Sequence, residues 1–121
     1  MINANLEQFL DSGWYSGATL YYEGYTYVCE GWYENADNNN PMHLVVYKYK
    51  SIICEEKYTK VVCDGENTVD FEYIIDKDFK TSAEAKQKFL TSKIFDGKSF
   101  WEVESRIAWY DEIGNIDISN L

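Results

Sequence analysis

The side chains best suited to nucleophilic or metal chemistry are few and irregularly spaced. The chain has one histidine, His43, and three cysteines, Cys29, Cys54 and Cys63. A catalytic Cys-His pair needs the imidazole beside a stabilised thiolate, and a zinc site needs regularly spaced ligands. These residues match neither pattern. We therefore interpret His43 as a structural residue and the cysteines as small buried side chains, and we predict no catalytic residue, no metal and no cofactor.

Paired carboxylates could support glycoside hydrolysis or hold a divalent cation. Two close pairs occur, Asp76 with Asp78 and Glu55 with Glu56. Such pairs are expected by chance in a chain with 21 acidic residues. The sequence Asp-Gly-Lys-Ser at 96–99 is similar to the end of a phosphate-binding loop, but it lacks the earlier glycine that this loop requires. Enzymatic function is therefore disfavoured.

The segment 14–33 is rich in aromatic residues and contains no Lys or Arg. Tyr21 and Tyr22 are adjacent, and adjacent side chains on a strand point to opposite faces. One of the two rings must therefore leave the core unless both faces are covered. Because Tyr and Trp are enriched at binding hot spots, we predict a partner-binding surface here; alternatively, the phenol hydroxyls reach solvent at the rim of the sheet. The predicted contact residues are Tyr21, Tyr22, Glu23, Tyr25, Tyr27, Glu30, Trp32 and Tyr33.

A second candidate surface lies on the last predicted helix. A capping box at 99–102 opens this helix, and Gly114 ends it. Its acidic side would suit a partner with basic residues around an apolar pocket. Alternatively, the helix is amphipathic with an incidental Trp at its margin. The predicted contact residues are Glu102, Trp109 and Glu112.

Hydrophobic periodicity predicts the elements that position these residues. A helical spacing of apolar residues predicts a short helix at 5–11, and a capping box opens a second helix at about 81–90. Two-residue alternation predicts a hairpin around Glu23-Gly24. In the last predicted strand, Tyr73 and Ile75 share one face. Strands are predicted at 18–22, 25–29, 42–49, 57–63 and 69–75.

This element order predicts one α+β domain spanning residues 1–121. Consecutive strands with short turns favour an antiparallel β-meander of four to five strands. A short N-terminal helix and two C-terminal helices are expected to pack on one face of the sheet. An apolar content of 45% is that of a globular chain.

The charge is unevenly distributed along the chain. The formal net charge is −10, and residues 1–47 hold six acids with no Lys or Arg. Residues 99–121 hold five acids against one arginine. A negative field repels phosphate backbones and attracts basic surfaces, which disfavours direct nucleic-acid binding. Alternatively, the acidity serves solubility alone.

Location is predicted from what the sequence lacks. No apolar stretch reaches the roughly 18 residues of a membrane span, and the first residues carry neither a basic nor an apolar signal region. The odd number of cysteines favours a reducing compartment. We therefore expect a cytoplasmic protein without a membrane partner.

Three hypotheses of function follow. The first is a non-enzymatic, acidic inhibitor or immunity-type protein that docks on a basic, nucleic-acid-binding surface of another protein. Anti-CRISPR proteins, other anti-defence inhibitors and toxin-neutralising proteins are analogous in physical type. The second is a small-ligand or carbohydrate-binding module, which predicts a concave aromatic pocket. The third is an enzyme that uses carboxylates or a Cys-His pair.

Overall fold

The computed structural model describes residues 1–2, 4–34, 41–56, 59–62, 70–109 and 116–117. These residues form three α-helices and eight strands, with 3-10 turns at Gly13–Tyr15 and Glu104–Arg106. The helices are α1 (Leu6–Asp11), α2 (Ser82–Thr91) and α3 (Phe100–Val103). The strands are β1 (Ser16–Tyr22), β2 (Tyr25–Tyr33), β3 (Met42–Lys50), β4 (Ile53–Glu56), β5 (Thr59–Val62), β6 (Glu72–Phe79), β7 (Ala108–Trp109) and β8 (Ile116–Asp117).

The strands form two antiparallel sheets, which confirms the predicted α+β class. The main sheet has five strands in the order β6-β3-β2-β1-β7, and the small sheet has three in the order β4-β5-β8. Strands β1 to β3 pair as a meander. The meander is extended by β6 along β3 and by β7 along β1, so the two edges of the main sheet come from the second half of the chain.

The hairpin between β1 and β2 forms as predicted. Glu23 and Gly24 both have positive φ, at 51° and 86°. This is the type I′ geometry, whose twist matches that of the flanking strands and which glycine adopts without steric cost. Tyr22 and Tyr25 are the last pair before the turn.

Helix α2 covers one face of the main sheet and closes the core. Its predicted N-cap is confirmed, since the Thr81 hydroxyl accepts a hydrogen bond from the Glu84 amide at 3.1 Å. Ala85, Phe89 and Leu90 point inward and are buried. Phe89 lies 6.2 Å from Phe9 of α1 and 5.8 Å from Phe100 of α3, ring centre to ring centre, so the three helices share one aromatic core.

The predicted long helix after residue 99 is wrong beyond its first turns. Helix α3 ends at Val103, a 3-10 turn follows, and Ala108–Trp109 is a strand. Trp109 pairs with Leu20 of β1. Pairing satisfies the backbone amide and carbonyl groups of an otherwise open sheet edge, and this outweighs the helical propensity of the segment.

One predicted strand shifts along the chain, since the strand predicted at 69–75 is observed at Glu72–Phe79. The strand predicted at 57–63 is observed as β5, and it pairs with β4, which was not predicted. Strand β6 continues through polar residues because its outward side chains face solvent and therefore do not have to be apolar.

Two further findings concern the cysteines and the membrane. Cys54 is disulfide-bonded and only partly buried, so its interpretation as a small buried side chain is wrong. Cys29 is free and buried, and burial strongly raises the pKa of its thiol. Cys63 lies outside the described residues.

Among the described residues, no helix has the length and apolar character needed to cross a bilayer.

Candidate functional site

The face of the main sheet turned away from α2 carries a group of polar and aromatic side chains across β2, β3 and β6. We call it the outer face. Its side chains lie in cross-strand rows, because residues paired across antiparallel strands share a face. The three rows that define it are Trp32–His43–Asp78, Glu30–Val45–Asp76 and Val28–Tyr47–Tyr73.

A β-bulge turns Tyr73 onto the outer face. Val46 pairs with Ile75, but its neighbour Tyr47 pairs with Tyr73, so Ile74 is the extra residue in β6. Without the bulge, Tyr73 and Ile75 would share the buried face, as the alternation predicts. The structure instead leaves Tyr73 62% exposed and Ile75 only 7% exposed. The predicted common face of these two residues is therefore wrong.

The outer face contains a shallow pocket of about 390 Å³. Val45 and Tyr47 of β3 lie between the side chains contributed by β2 and β6. Phe71, just before β6, adds a ring at one end. The lining residues are Glu30, Trp32, His43, Val45, Tyr47, Phe71, Tyr73 and Asp76.

His43 is held between two carboxylates at one end of the pocket. Its Nδ1 lies 2.6 Å from Asp78 Oδ1, and its Nε2 lies 2.7 Å from Asp76 Oδ1. A neutral imidazole has one N–H, so donating to both carboxylates requires the imidazolium. The hydrogen bond to Asp78, assisted by that to Asp76, raises the pKa of His43 above 6.5 against the opposing effect of partial burial.

The imidazole of His43 also packs against the indole of Trp32. The two ring centres are 4.7 Å apart and the planes are inclined by 33°. This pairing follows from the register, since Trp32 and His43 are direct cross-strand neighbours. A protonated imidazole over an indole is a favourable cation–π arrangement. Trp32 nevertheless remains 49% exposed, so much of its surface is open to a partner.

The other end of the pocket is aromatic. Tyr47 lies 5.3 Å from Phe71 and 5.6 Å from Tyr73, ring centre to ring centre, and Phe71 also packs edge-on against Tyr49. Burial, followed by the nearby charge of Glu30, raises the pKa of the Tyr47 phenol. Tyr47 therefore stays neutral at physiological pH. Phe71 is 46% exposed, so this end of the pocket presents apolar surface to solvent.

The pocket is electronegative. Its lining includes two carboxylates, those of Glu30 and Asp76, and among the described residues no Lys or Arg lines it. Asp78 adds a third carboxylate on the far side of the imidazolium. Three carboxylates and one imidazolium leave two negative charges uncompensated within this group.

The arrangement does not suit a metal ion. Within the described ranges, no group of three or more His, Cys, Asp or Glu side chains could hold one. Both nitrogens of His43 are engaged by carboxylates that lie at different edges of the ring, whereas a shared metal ion would need its ligands to converge on one point. The predicted absence of a cofactor is not tested by this geometry.

Of the eight contact residues predicted in 14–33, two line the pocket and six do not. Glu30 and Trp32 line the pocket. Tyr21 is partly buried against Val62 and Ala108. The remaining residues lie elsewhere: Tyr25 is 41% exposed with Lys48 Nζ 5.0 Å above its ring, Glu23 lies 3.9 Å from Arg106 Nη1, and Tyr33 is half-buried against Tyr15.

Tyr22 and Tyr27 are corrections to the predicted surface. Both rings are 2% exposed and pack on Phe95 in the core, at 6.1 and 4.7 Å. The helical side of the sheet covers them, so almost none of their surface is open to a partner. Burial is also the main reason that the pKa of Tyr27 rises to about 12.

The second predicted surface is not formed as expected. Trp109 lies on β7 and packs edge-on against Phe9 at 5.2 Å, so it is not a helical surface residue. Glu102 is exposed, and its Oε1 accepts a hydrogen bond from the Ser99 amide at 3.4 Å as part of the capping box. Glu112 lies outside the described residues.

Sequence reasoning missed most of the pocket. The sequence does not place His43 beside Asp76 and Asp78, yet the structure brings all three together. One signal was available, since His43 and Tyr47 share a face of their predicted strand. Phe71 and Tyr73 carried no such signal, because the bulge in β6 is not visible in the alternation.

No family model, no curated protein and no solved structure matches this chain.

Proposed function

We propose that this protein is a non-enzymatic binding domain that docks on a positively charged protein surface through its outer face. The inhibitor or immunity type is the class of protein that this function fits. The observation that carries the proposal is the pocket itself, in which exposed aromatic rings adjoin uncompensated carboxylates. Both components favour a basic partner with apolar contact area.

Exposed aromatic rings around the pocket favour an interaction site. Trp32, Phe71 and Tyr73 are 49%, 46% and 62% exposed and all lie around the same pocket. Apolar surface gathered in one place on a protein marks an interaction site more often than scattered exposed side chains do. Aromatic residues are also the ones that dominate interface energetics.

The negative charge of the chain and of the outer face favours a basic partner. The chain carries a net charge of −10, and the outer face adds local carboxylates with no lining Lys or Arg among the described residues. Complementary charge accelerates association and excludes wrong partners. A basic protein surface is therefore favoured, and a phosphate backbone is repelled.

The state of His43 supports a binding role over a catalytic one. A general base needs a nitrogen lone pair that is open to substrate, but both ring nitrogens of His43 are engaged by carboxylates, at 2.6 Å from Asp78 and 2.7 Å from Asp76. Of the residues described around the pocket, none is a Ser, Thr or Cys that could serve as a nucleophile. The imidazolium instead holds Asp76, Asp78 and Trp32 in place.

The location of the protein bears on the choice of partner. A cytoplasmic location remains our sequence-based prediction. The disulfide at Cys54 weighs against it, because disulfides persist mainly in oxidising compartments. A basic partner that meets this protein outside the cytoplasm is consistent with the same outer face.

Affinity capture from cells of the source organism tests the proposal. The bait is the wild-type chain or a double variant, Trp32→Ala with Tyr73→Ala. The matched control is Trp101→Ala, which removes another half-exposed ring, on α3 and away from the pocket. We expect one basic protein to be retained by wild type and control, lost with the double variant, and released as salt rises.

Two results would contradict the proposal. One is retention of the same protein by the double variant, which would place the interface elsewhere. The other is binding that does not change between low and high salt, since charge attraction at an exposed surface is screened.

A carbohydrate-binding module is the second candidate. It is favoured by the exposed Trp32 indole beside hydrogen-bonding carboxylates, since sugar rings stack on aromatic faces. The aromatic pocket that this hypothesis requires is present. Quenching of tryptophan fluorescence by a neutral oligosaccharide, insensitive to salt and lost in Trp32→Ala, would favour it over a basic protein.

A further inference from the structure

We infer that the pocket on the outer face receives the side chain of one arginine from the partner. The inference rests on the proposed function and names the group that the pocket binds. A volume of about 390 Å³ is at the small end of the range for ligand pockets, which begins near 300 Å³. It therefore suits a single side chain better than an extended ligand.

The outer face already holds one planar cation of its own. The imidazolium of His43 lies between the carboxylates of Asp76 and Asp78 and packs on Trp32 at 4.7 Å. Rings on the faces of a flat cation and carboxylates at its edges are the two contacts that stabilise it. The remainder of the pocket offers the same two kinds of contact, from Glu30 and from the rings of Tyr47, Phe71 and Tyr73.

The residual charge leaves room for one more cation. The imidazolium of His43 offsets one of the two charges of Asp76 and Asp78, so two negative charges remain when Glu30 is included. A partner arginine reduces this excess to one, and its guanidinium gains attraction from Glu30 and Asp76. A carboxylate ligand would instead add to the excess, and is excluded by the same reasoning.

The spacing of the carboxylates favours arginine over lysine. Glu30 and Asp76 stand on β2 and β6, in one row with Val45 between them. Two strand spacings separate their backbones by about 10 Å. A guanidinium carries five N–H donors around a planar fork and can reach toward both carboxylates, whereas an ammonium is a compact point charge. The apolar floor of Val45 and Tyr47 suits the stacking of a guanidinium.

Titration with small arginine derivatives tests the inference. The probe is N-acetyl-arginine methylamide, with the lysine and citrulline derivatives as comparisons, followed by NMR of the tryptophan indole N–H signals. We expect the signal assigned to Trp32 to move and that of Trp101 to stay. Arginine should bind at least about threefold more tightly than lysine, and the neutral citrulline derivative should bind at least about tenfold more weakly than arginine.

Variants sharpen the test. Glu30→Gln keeps the shape of the side chain and removes its charge, so affinity for the arginine derivative should fall about tenfold. Trp32→Ala and Trp32→Phe lack the indole signal, so their affinities are measured by isothermal titration calorimetry. Trp32→Phe keeps an aromatic ring and should weaken binding less than Trp32→Ala, and it serves as the test if Trp32→Ala does not fold. Trp101→Ala should leave the affinity unchanged.

Several outcomes overturn the inference. Equal affinity for the arginine and lysine derivatives would show that the pocket recognises positive charge alone. Equal affinity for the arginine and citrulline derivatives would show that it recognises the planar group by stacking alone. A shift of the Trp101 indole signal without a shift of the Trp32 signal would show that the arginine derivative binds outside the pocket. If arginine fails to bind while a basic protein is still captured through Trp32, this inference fails alone; if arginine binds but no basic protein is captured, the proposed function fails alone.

Discussion

The two faces of the main sheet are both aromatic, but they serve different ends. On the helical face, Tyr22 and Tyr27 are 2% exposed, whereas Trp32 and Tyr73 on the outer face are 49% and 62% exposed. The difference arises from what lies over each face. Phe95, which precedes α3, packs on both buried tyrosines. Aromatic content therefore predicts a sheet with two ring-bearing faces, but a covering layer decides which face can bind.

The same contrast extends to polar groups. In the core, rings pack on rings, as Phe9 stacks on Phe100 at 5.5 Å. On the outer face the rings alternate with charges, and Trp32 packs on the imidazolium of His43. Charged side chains are tolerated there because solvent and opposite charges stabilise them. The outer face thus keeps groups that a core would exclude.

The largest expected effect on stability comes from replacing a phenylalanine by alanine on the helical face, with the same replacement on the outer face as the comparison. Phe95→Ala empties a position in contact with Tyr22, Tyr27, Phe89 and Phe100. It should lower the free energy of unfolding by about 3–5 kcal/mol, because it removes a fully buried ring and leaves a cavity. Urea unfolding followed by circular dichroism measures the change.

Phe71→Ala is the control for this comparison. Phe71 is 46% exposed on the outer face, so the same substitution should cost under about 1 kcal/mol. Equal losses for the two variants would mean that Phe71 is part of a second core.

The next effect tests the corrected position of Trp109. A Cβ on Gly13 would lie 2.5 Å from the Cη2 and Cζ2 atoms of the Trp109 indole. Gly13→Ala should therefore destabilise the fold by about 1–3 kcal/mol through overpacking, as measured by urea unfolding. Ser12→Ala, at the exposed neighbouring position, is the control and should stay within about 0.5 kcal/mol. An unchanged stability for Gly13→Ala would indicate that the Trp109 indole does not pack on Gly13 and lies at the surface, which is the position that the predicted helix gives it.

A smaller, pH-dependent effect on stability is expected from His43 on the outer face. The folded pKa of His43 lies above its unfolded value of 6.5. The stabilisation from protonated His43 is therefore full below pH 6.5 and is lost as pH rises through the raised folded pKa. His43→Gln keeps a polar side chain but cannot be charged. It should cost about 1 kcal/mol at the acidic end of this window, because Asp76 and Asp78 are themselves largely exposed.

Unfolding of wild type and His43→Gln across the pH range measures this contribution. The difference between the two should shrink toward alkaline pH. A difference that stays constant with pH would show that His43 contributes through packing on Trp32 and not through its charge.

The smallest effect on stability should accompany a large effect on binding. Tyr73→Ala removes the most exposed ring of the outer face and should change the free energy of unfolding by under about 0.5 kcal/mol. Capture of the basic partner should nevertheless weaken, because the interface loses an aromatic contact. A large loss of stability would indicate that Tyr73 is held by the fold and is not presented to a partner.

Local patterns predicted more of the fold than of the site. The turn at Glu23-Gly24 and the cap at Thr81 were readable because each depends on a few adjacent residues. Of the pocket, Glu30 and Trp32 were predicted as contact residues. His43, Asp76 and Asp78 were not joined, because they meet through the register of β3 with β6 and this register is a property of the assembled sheet.

The sequence by itself determined that the chain would form antiparallel strands with alternating side chains, tight turns and capped helices, and that its charge would be strongly negative. These properties follow from backbone sterics, periodicity and composition. The tertiary structure alone decided which sheet face the helices cover, where the bulge at Ile74 turns Tyr73 outward, and that Trp109 completes a sheet edge. The physical reason is that these outcomes depend on which distant groups satisfy one another's hydrogen bonds and bury one another's apolar surface.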